Sequence, residues 1–247
     1  MKKIIIALVL SGLITNLSVQ AESLDDIGDK VFEQKVLEVI MKNPEVIEKT
    51  LKSHMERKRE AQAEAQFQEA LDNRVEIDYA DSPTLGKKSA KYHLVVFTDF
   101  QCPYCKKGEA TVQDLKEEYG DDLYIVHKNF PLGFHAKAKP AAKAALAAHE
   151  QGKFFEYAAL LFENQSKLGD ELYIKLAKDL KLDIGKFKKD MNSEKAQKLL
   201  EADMKQAAKV KVGSTPNFFL NGVNVKGAYP LEHFQKIIEK LDAEKKS

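Results

Sequence analysis

The stretch FTDFQCPYCKKGEATV, residues 97–112, holds both cysteines of the chain, and they are separated by only two residues. A bridge between Cys102 and Cys105 would close too small a loop to staple a domain, so the pair points to reactivity rather than to cross-linking. What surrounds the pair constrains the fold. YHLVVFTDF before it is a short apolar, β-branched run that reads as a buried strand, and KKGEATVQDLKEEYG after it has a helical pattern that stops at Gly120. DLYIVHKNF then reads as a second strand, which makes a βαβ unit and places the chain among α/β folds with the cysteines at the strand-to-helix junction.

The rest of the chain falls into place around that unit. Residues 22–73 are helix-forming, charged and free of glycine after Gly28, and they read as a region of their own type. Val36, Ile40 and Met41 give one apolar face. Asn43-Pro44 then reads as an N-cap followed by proline at the first helical position, and Ile47, Leu51 and Met55 recur at four-residue spacing on the helix it opens. Such an arm, with Phe67 and Leu71 as its last large apolar residues, either packs back on its own domain or pairs with a copy of itself, and self-association is the favoured reading. Asp81-Ser82-Pro83 and Gly86-Lys87-Lys88 mark residues 74–90 as a linker. Within residues 91–247, segments from about 134 to 212 all look helical and read as an insertion. NFFLNGVNVKG, with Asn221-Gly222 at its centre, is a hairpin signal, and PLEHFQKIIEKL is a closing amphipathic helix.

Met1-Lys2-Lys3, an apolar stretch at residues 4–13 and Val19-Gln20-Ala21 have the order of a secretory signal peptide, expected to end at Ala21. The apolar stretch falls short of the ~20 residues a spanning helix needs, which argues against a membrane anchor. Removing residues 1–21 takes the formal charge from +1 to −1, so there is no basic excess to point to nucleic acid as a partner. Export into an oxidising space also makes a single close cysteine pair unusual as a structural device.

At a helix start Cys102 meets unpaired backbone N–H groups and the positive end of the helix dipole, which stabilise an anion. A free thiol titrates near ~8.5, whereas CxxC thiols at helix starts fall to ~3.5–7.5. Pro103 suits the first turn, Cys105 lies one turn deeper as the candidate resolving thiol, and Lys106 and Lys107 either add local positive charge or are ordinary exposed helix lysines. A zinc site would need two more ligands. No second CxxC and no paired-histidine motif exists among His54, His93, His127, His135, His149 and His233, so neither metal nor cofactor is expected. Nucleophilic hydrolysis would need a base beside Cys102, and His135 is read as a loop or packing histidine. Thr215-Pro216 precedes a strand, where either a cis peptide bond or an ordinary trans turn fits.

The order of parts resembles the thioredoxin fold with a helical insertion, as in the DsbA family of periplasmic thiol:disulfide oxidoreductases. FTDFQCPYC, NFPLGFHAKAKPAAKAALAAHEQGKFFEY and VGSTPNFFLNG carry the resemblance, which covers residues 91–241. It implies that Cys102 attacks, that Cys105 resolves, that the two form a redox-active disulfide flanking Pro103 and Tyr104, and that Thr215-Pro216 is a cis-proline loop presenting backbone to substrate. It also implies a periplasmic location, exported cysteine-containing proteins as substrates and a membrane redox partner. Two positions depart from the oxidase pattern. Val96 stands where thioredoxin-like proteins often keep a buried carboxylate six residues before the first cysteine, while the nearer Asp99 is assigned no role. Tyr104 replaces the histidine of strongly oxidising members, and Thr215 together with the N-terminal arm resembles the oligomeric, isomerase-like branch that includes ScsC. The expectation is therefore a homodimeric protein that forms or isomerises disulfides, with a trimer as the structural rival. A monomer-like oxidase and a non-redox envelope chaperone or binding module are the alternatives, and the charged arm offers only weak support for outer-membrane association.

Overall fold

The computed structural model describes residues 24–79 and 81–244, so the expected signal peptide lies outside the described residues. The chain divides into two compact units between Ala63 and Glu64.

The first unit is helical. Helix α1 (Leu24–Lys42) ends where the Asn43 side-chain amide donates to the Val39 carbonyl at 2.7 Å, and α2 (Pro44–Asp72) starts at once with proline in its first turn. Its large apolar residues are exposed: Phe32 is 68% accessible, Leu37 60% and Met41 79%.

The second unit begins inside α2, because the last turns of that helix carry Phe67 and Leu71 into an apolar cluster with Phe234 and Ile238. The expected linker 74–90 is likewise built into the fold. Val75 N–H donates to the Gly222 carbonyl at 2.9 Å, Ile77 is buried, and β1 (Thr84–Leu85) pairs antiparallel with β3 (Leu123–Asn129). Local sequence shows only turn residues there; the partners that order the segment lie far along the chain.

The sheet has five strands in the order β1-β3-β2-β4-β5, with β2 (Tyr92–Thr98) at its centre, β4 (Asn217–Leu220) beside it and β5 (Val223–Lys226) at one edge. Strands β2 and β3 run parallel with Leu94 opposite Ile125, as the intervening helix α3 (Pro103–Tyr119) requires; β2 and β4 run antiparallel with Leu94 opposite Leu220. Alternate residues of β2 serve opposite faces. Leu94 and Val96 join Leu115, Phe218 and Ile237 under α3 and α9 (Leu231–Glu244), while Val95 and Phe97 join Phe219, Ala207 and Val210 on the other face. Because both faces are covered, β2 reads in sequence as an unbroken apolar run. The β4–β5 turn needs Gly222, whose φ is +85° and whose added Cβ would lie 2.8 Å from the Val75 carbonyl oxygen.

Between β3 and β4 the chain inserts five helices: α4 (Ala138–His149), α5 (Phe154–Glu163), α6 (Asp170–Asp179), α7 (Ile184–Met191) and α8 (Glu194–Lys209). Asp183 and Ser193 cap α7 and α8 by accepting backbone N–H bonds from Lys186 and Ala196. The alanine-rich face of α4 packs with Tyr157, Tyr173 and Phe187 into one cluster that also contains Phe100, Cys102 and Cys105. The insertion is tied to the sheet by a buried ion pair, Lys128 Nζ to Asp203 Oδ1 at 3.2 Å, and by Asn129, which gives its backbone and side-chain N–H groups to Asp203 Oδ2. These features give a mixed α/β, thioredoxin-like fold with a helical insertion, preceded by a helical region.

Candidate active site

Strand β2 ends at Thr98 and α3 begins at Pro103, so residues 99–102 form the junction between a rigid strand and a rigid helix. Cys102 occupies the N-cap with extended backbone angles (φ −75°, ψ 121°), and Pro103 fills the first helical position, where no N–H is needed. The turn is closed by Cys102 N–H donating to the Asp99 carbonyl at 3.1 Å and by Cys105 N–H donating to the Cys102 carbonyl at 3.0 Å.

Both cysteines are free thiols, and Cys102 is 5% accessible against 1% for Cys105. The Cys102 thiol donates to the Thr215 carbonyl at 3.5 Å, and the Asp99 backbone N–H donates to Cys105 Sγ at 3.3 Å. The Cys102 thiol is held down to about 5: the hydrogen bond from Cys105 is the largest cause, burial opposes it, and contacts with Thr215 and the backbone N–H groups of Cys105 and Tyr104 add to it. Cys105 moves the other way, because burial and the neighbouring Cys102 sulfur both disfavour its anion. The two sulfurs thus differ in chemistry although one helical turn separates them: their surroundings favour the anion at Cys102 and disfavour it at Cys105.

The Thr215-Pro216 peptide bond is cis, and the Thr215 carbonyl lies against Cys102 Sγ. Gly108 lets the helix approach this loop, since a Cβ there would lie 2.9 Å from the Phe218 ring and 3.1 Å from Pro216. The Thr215 hydroxyl is buried beside the cysteine pair. Tyr104 projects from the first turn of α3, 62% accessible, with Lys107 Nζ 5.4 Å from its ring centre. Cys102, Cys105, Pro103, Tyr104, Thr215 and Pro216 are therefore gathered in one place.

Four further residues complete the surroundings. Val96 lies in the apolar cluster under α3, and the carboxylate near the pair is that of Asp99. The Asp99 side chain is fully buried and bound by Gln101 N–H at 2.7 Å, Leu132 N–H at 2.8 Å and His135 Nδ1 at 2.8 Å. His135 is a loop histidine, as its sequence position implies, but one attached to the active-site turn. Gln165, on the single turn between α5 and α6, donates its side-chain amide to the carbonyls of Phe100 and Cys102 at 2.8 and 2.9 Å. Nothing in the sequence marks Gln165, and only the proximity of Asp99 to Cys102 could have drawn notice to that carboxylate. No cluster with metal-binding composition occurs among the described residues.

The thioredoxin family model matches residues 78–240. Among solved structures, a thioredoxin-like oxidoreductase from Silicibacter pomeroyi DSS-3 is 26% identical and superposes with a TM-score of 0.62 over 66% of this chain and 94% of that one. ScsC of Proteus mirabilis, 24% identical with a TM-score of 0.58, shares the fold over 90% of this chain and 100% of that chain. A curated relative, Na(+)/H(+) antiporter NhaA 1 of Mycolicibacterium vanbaalenii, is 32% identical over 157 residues, 62% of this chain. The chain spans about a quarter of the length of the curated relatives it matches, and no helix among its described residues is long and apolar enough to cross a membrane. With its sheet order, its CxxC helix start and a family match over most of its length, the chain belongs to the thioredoxin family.

Proposed function

We propose that the protein is an exported thiol:disulfide oxidoreductase acting on disulfides of other exported proteins, with isomerase capacity. The observation that carries this reading is the placement of Cys102 at the N-cap of α3, beside the buried Cys105 and against the Thr215 carbonyl, in surroundings that favour the anion at Cys102 and disfavour it at Cys105. The Cys102 thiolate attacks one sulfur of a substrate disulfide, a mixed disulfide forms, and the other substrate sulfur leaves as thiolate. In isomerisation a substrate thiolate attacks the mixed disulfide, forms the new substrate bridge and returns Cys102 as thiolate. In net reduction Cys105 loses its proton and attacks Cys102 Sγ, so the substrate leaves reduced and Cys102–Cys105 becomes a disulfide. Running that sequence backwards is oxidation. A membrane redox partner then resets the pair.

Tyr104 in place of histidine and Thr215 before the proline favour the isomerase-like branch over a dedicated oxidase. The exposed apolar residues of the arm, Phe32, Leu37 and Met41 among them, support self-association, as a homodimer in this reading and a trimer as its rival. Facing sites on linked copies would hold a misfolded chain by avidity. The N-terminal signal pattern and the resemblance to periplasmic enzymes support a periplasmic location.

The test is reduction of insulin and refolding of a scrambled disulfide protein by wild type and Cys102→Ser. Activity in both assays, lost in the variant, is the expected result. Wild type inactive in both assays but able to oxidise a reduced dithiol peptide would favour the dedicated oxidase, and activity surviving in the variant would favour a chaperone whose cysteines are incidental.

A further inference from the structure

The helical insertion makes a direct polar contact with the active-site turn through Gln165. Its side-chain amide has two N–H groups, and one carbonyl on each side of Gln101 receives a bond from it: Phe100 O at 2.8 Å and Cys102 O at 2.9 Å. The Phe100–Gln101 peptide is consequently held at both ends, its carbonyl by Gln165 and its N–H by Asp99 Oδ1 at 2.7 Å. The Cys102 carbonyl belongs to the peptide bond with Pro103, which carries no N–H, and it also accepts from Cys105 N–H at 3.0 Å and Lys106 N–H at 3.4 Å.

We propose that Gln165 is a positioning residue for the attacking cysteine, a group outside the CxxC helix and the proline loop that sets how well the turn stabilises the Cys102 thiolate. The inference rests on the dithiol reading of the site. Cys105 N–H donates to the Cys102 carbonyl at 3.0 Å and is also among the backbone groups that favour the anion on the Cys102 sulfur. By donating to that carbonyl, Gln165 lessens its pull on Cys105 N–H and leaves more of the N–H for the sulfur. The same two bonds offset the negative ends of two peptide dipoles beside the site of the anion. The insertion therefore tunes the chemistry of the turn as well as covering it, and it does so from 63 residues along the chain.

The experiment is a pH titration of thiolate ultraviolet absorbance on the reduced full-length protein, with thermal unfolding measured alongside, for wild type, Gln165→Met and Gln165→Glu. Methionine keeps the length and removes both donors, and the Cys102 pKa is expected to rise by about half a unit to one unit, the scale of a neutral hydrogen bond. Glutamate keeps the shape but, once ionised, donates nothing and adds a negative charge, so its rise is expected to exceed that of methionine. Equilibration with glutathione should move in step, the reduced form losing roughly three- to tenfold in Gln165→Met. A fall in melting temperature with an unmoved Cys102 pKa in both variants would overturn the inference and leave the function proposed above intact. A wild-type Cys102 with an ordinary thiol pKa would overturn both.

Discussion

The two units of this chain use apolar residues in opposite ways. In the second unit Leu94, Phe97, Phe218 and Phe234 are all but inaccessible, and every strand and helix finds a covered face. In residues 28–63 Phe32, Leu37, Val39, Leu51 and Met41 stay largely exposed on long, charged helices. A fully buried side chain of this size contributes ~1.5–3 kcal/mol, and the arm leaves that stabilisation unrealised within its own unit. The domain covers its own apolar residues, whereas the arm leaves exposed the apolar residues on which the proposed self-association rests.

The sharpest way to break that comparison is to separate chemistry from assembly. Cys102→Ser should reduce disulfide exchange to background while sedimentation shows unchanged self-association. Deleting residues 22–63 should do the reverse, abolishing association while reduction of a small disulfide substrate persists. If the truncated protein remains associated, the arm is not the assembly surface.

Core and ion-pair changes come next. Phe218→Ala, in the central cluster, should cost ~3–5 kcal/mol in denaturant unfolding, whereas Leu37→Ala should leave the domain's unfolding within ~0.5 kcal/mol of wild type and weaken association instead. Asp203→Ala leaves Lys128 buried without its carboxylate and should cost ~3–5 kcal/mol, the price of an uncompensated charge. An equal loss from Leu37→Ala and Phe218→Ala would erase the distinction between the units.

The smallest effect is a pH dependence confined to the domain. Between about 5, where Cys102 titrates when folded, and ~8.5, where an unfolded thiol titrates, only the unfolded chain binds the proton. The contribution of Cys102 to the stability of the reduced form should therefore grow as pH rises through that window and vanish as pH falls through about 5. Cys105, displaced upward, should act with the opposite sign only above ~8.5. The stability gap between wild type and Cys102→Ser, followed by urea unfolding from pH ~5 to ~8, reads this directly. A gap that stays constant would mean that Cys102 is not held as an anion.

Much of the domain was legible because its signals are local. The elements of the β2–α3–β3 unit, the Asn221-Gly222 hairpin and the Asn43-Pro44 helix start each announce themselves in a short local stretch, and the structure has them where the pattern implies. Residues 74–90 were not legible, since β1 exists only because Thr84 meets Val126 and Val75 meets Gly222 across the fold. The point within α2 where the second unit begins was hidden for the same reason: Leu71 looks like one more residue of the arm until its partners in α9 are known. Within the site, proximity in sequence revealed the cysteines, Pro103 and Tyr104. Asp99 meets His135 across 36 residues and Gln165 meets Cys102 across 63, separations over which no spacing rule operates.

On this reading one turn of helix divides the pair into a thiolate and a protected thiol. Brief alkylation of the reduced, folded protein at about pH 6, with the modified residue located by peptide mass, tests it most directly. Rapid single modification at Cys102 is expected, at a rate that no longer rises with pH above about 6, with Cys105 untouched until the protein is unfolded. Slow modification of both cysteines at similar rates, climbing together toward the ordinary thiol range, would contradict it.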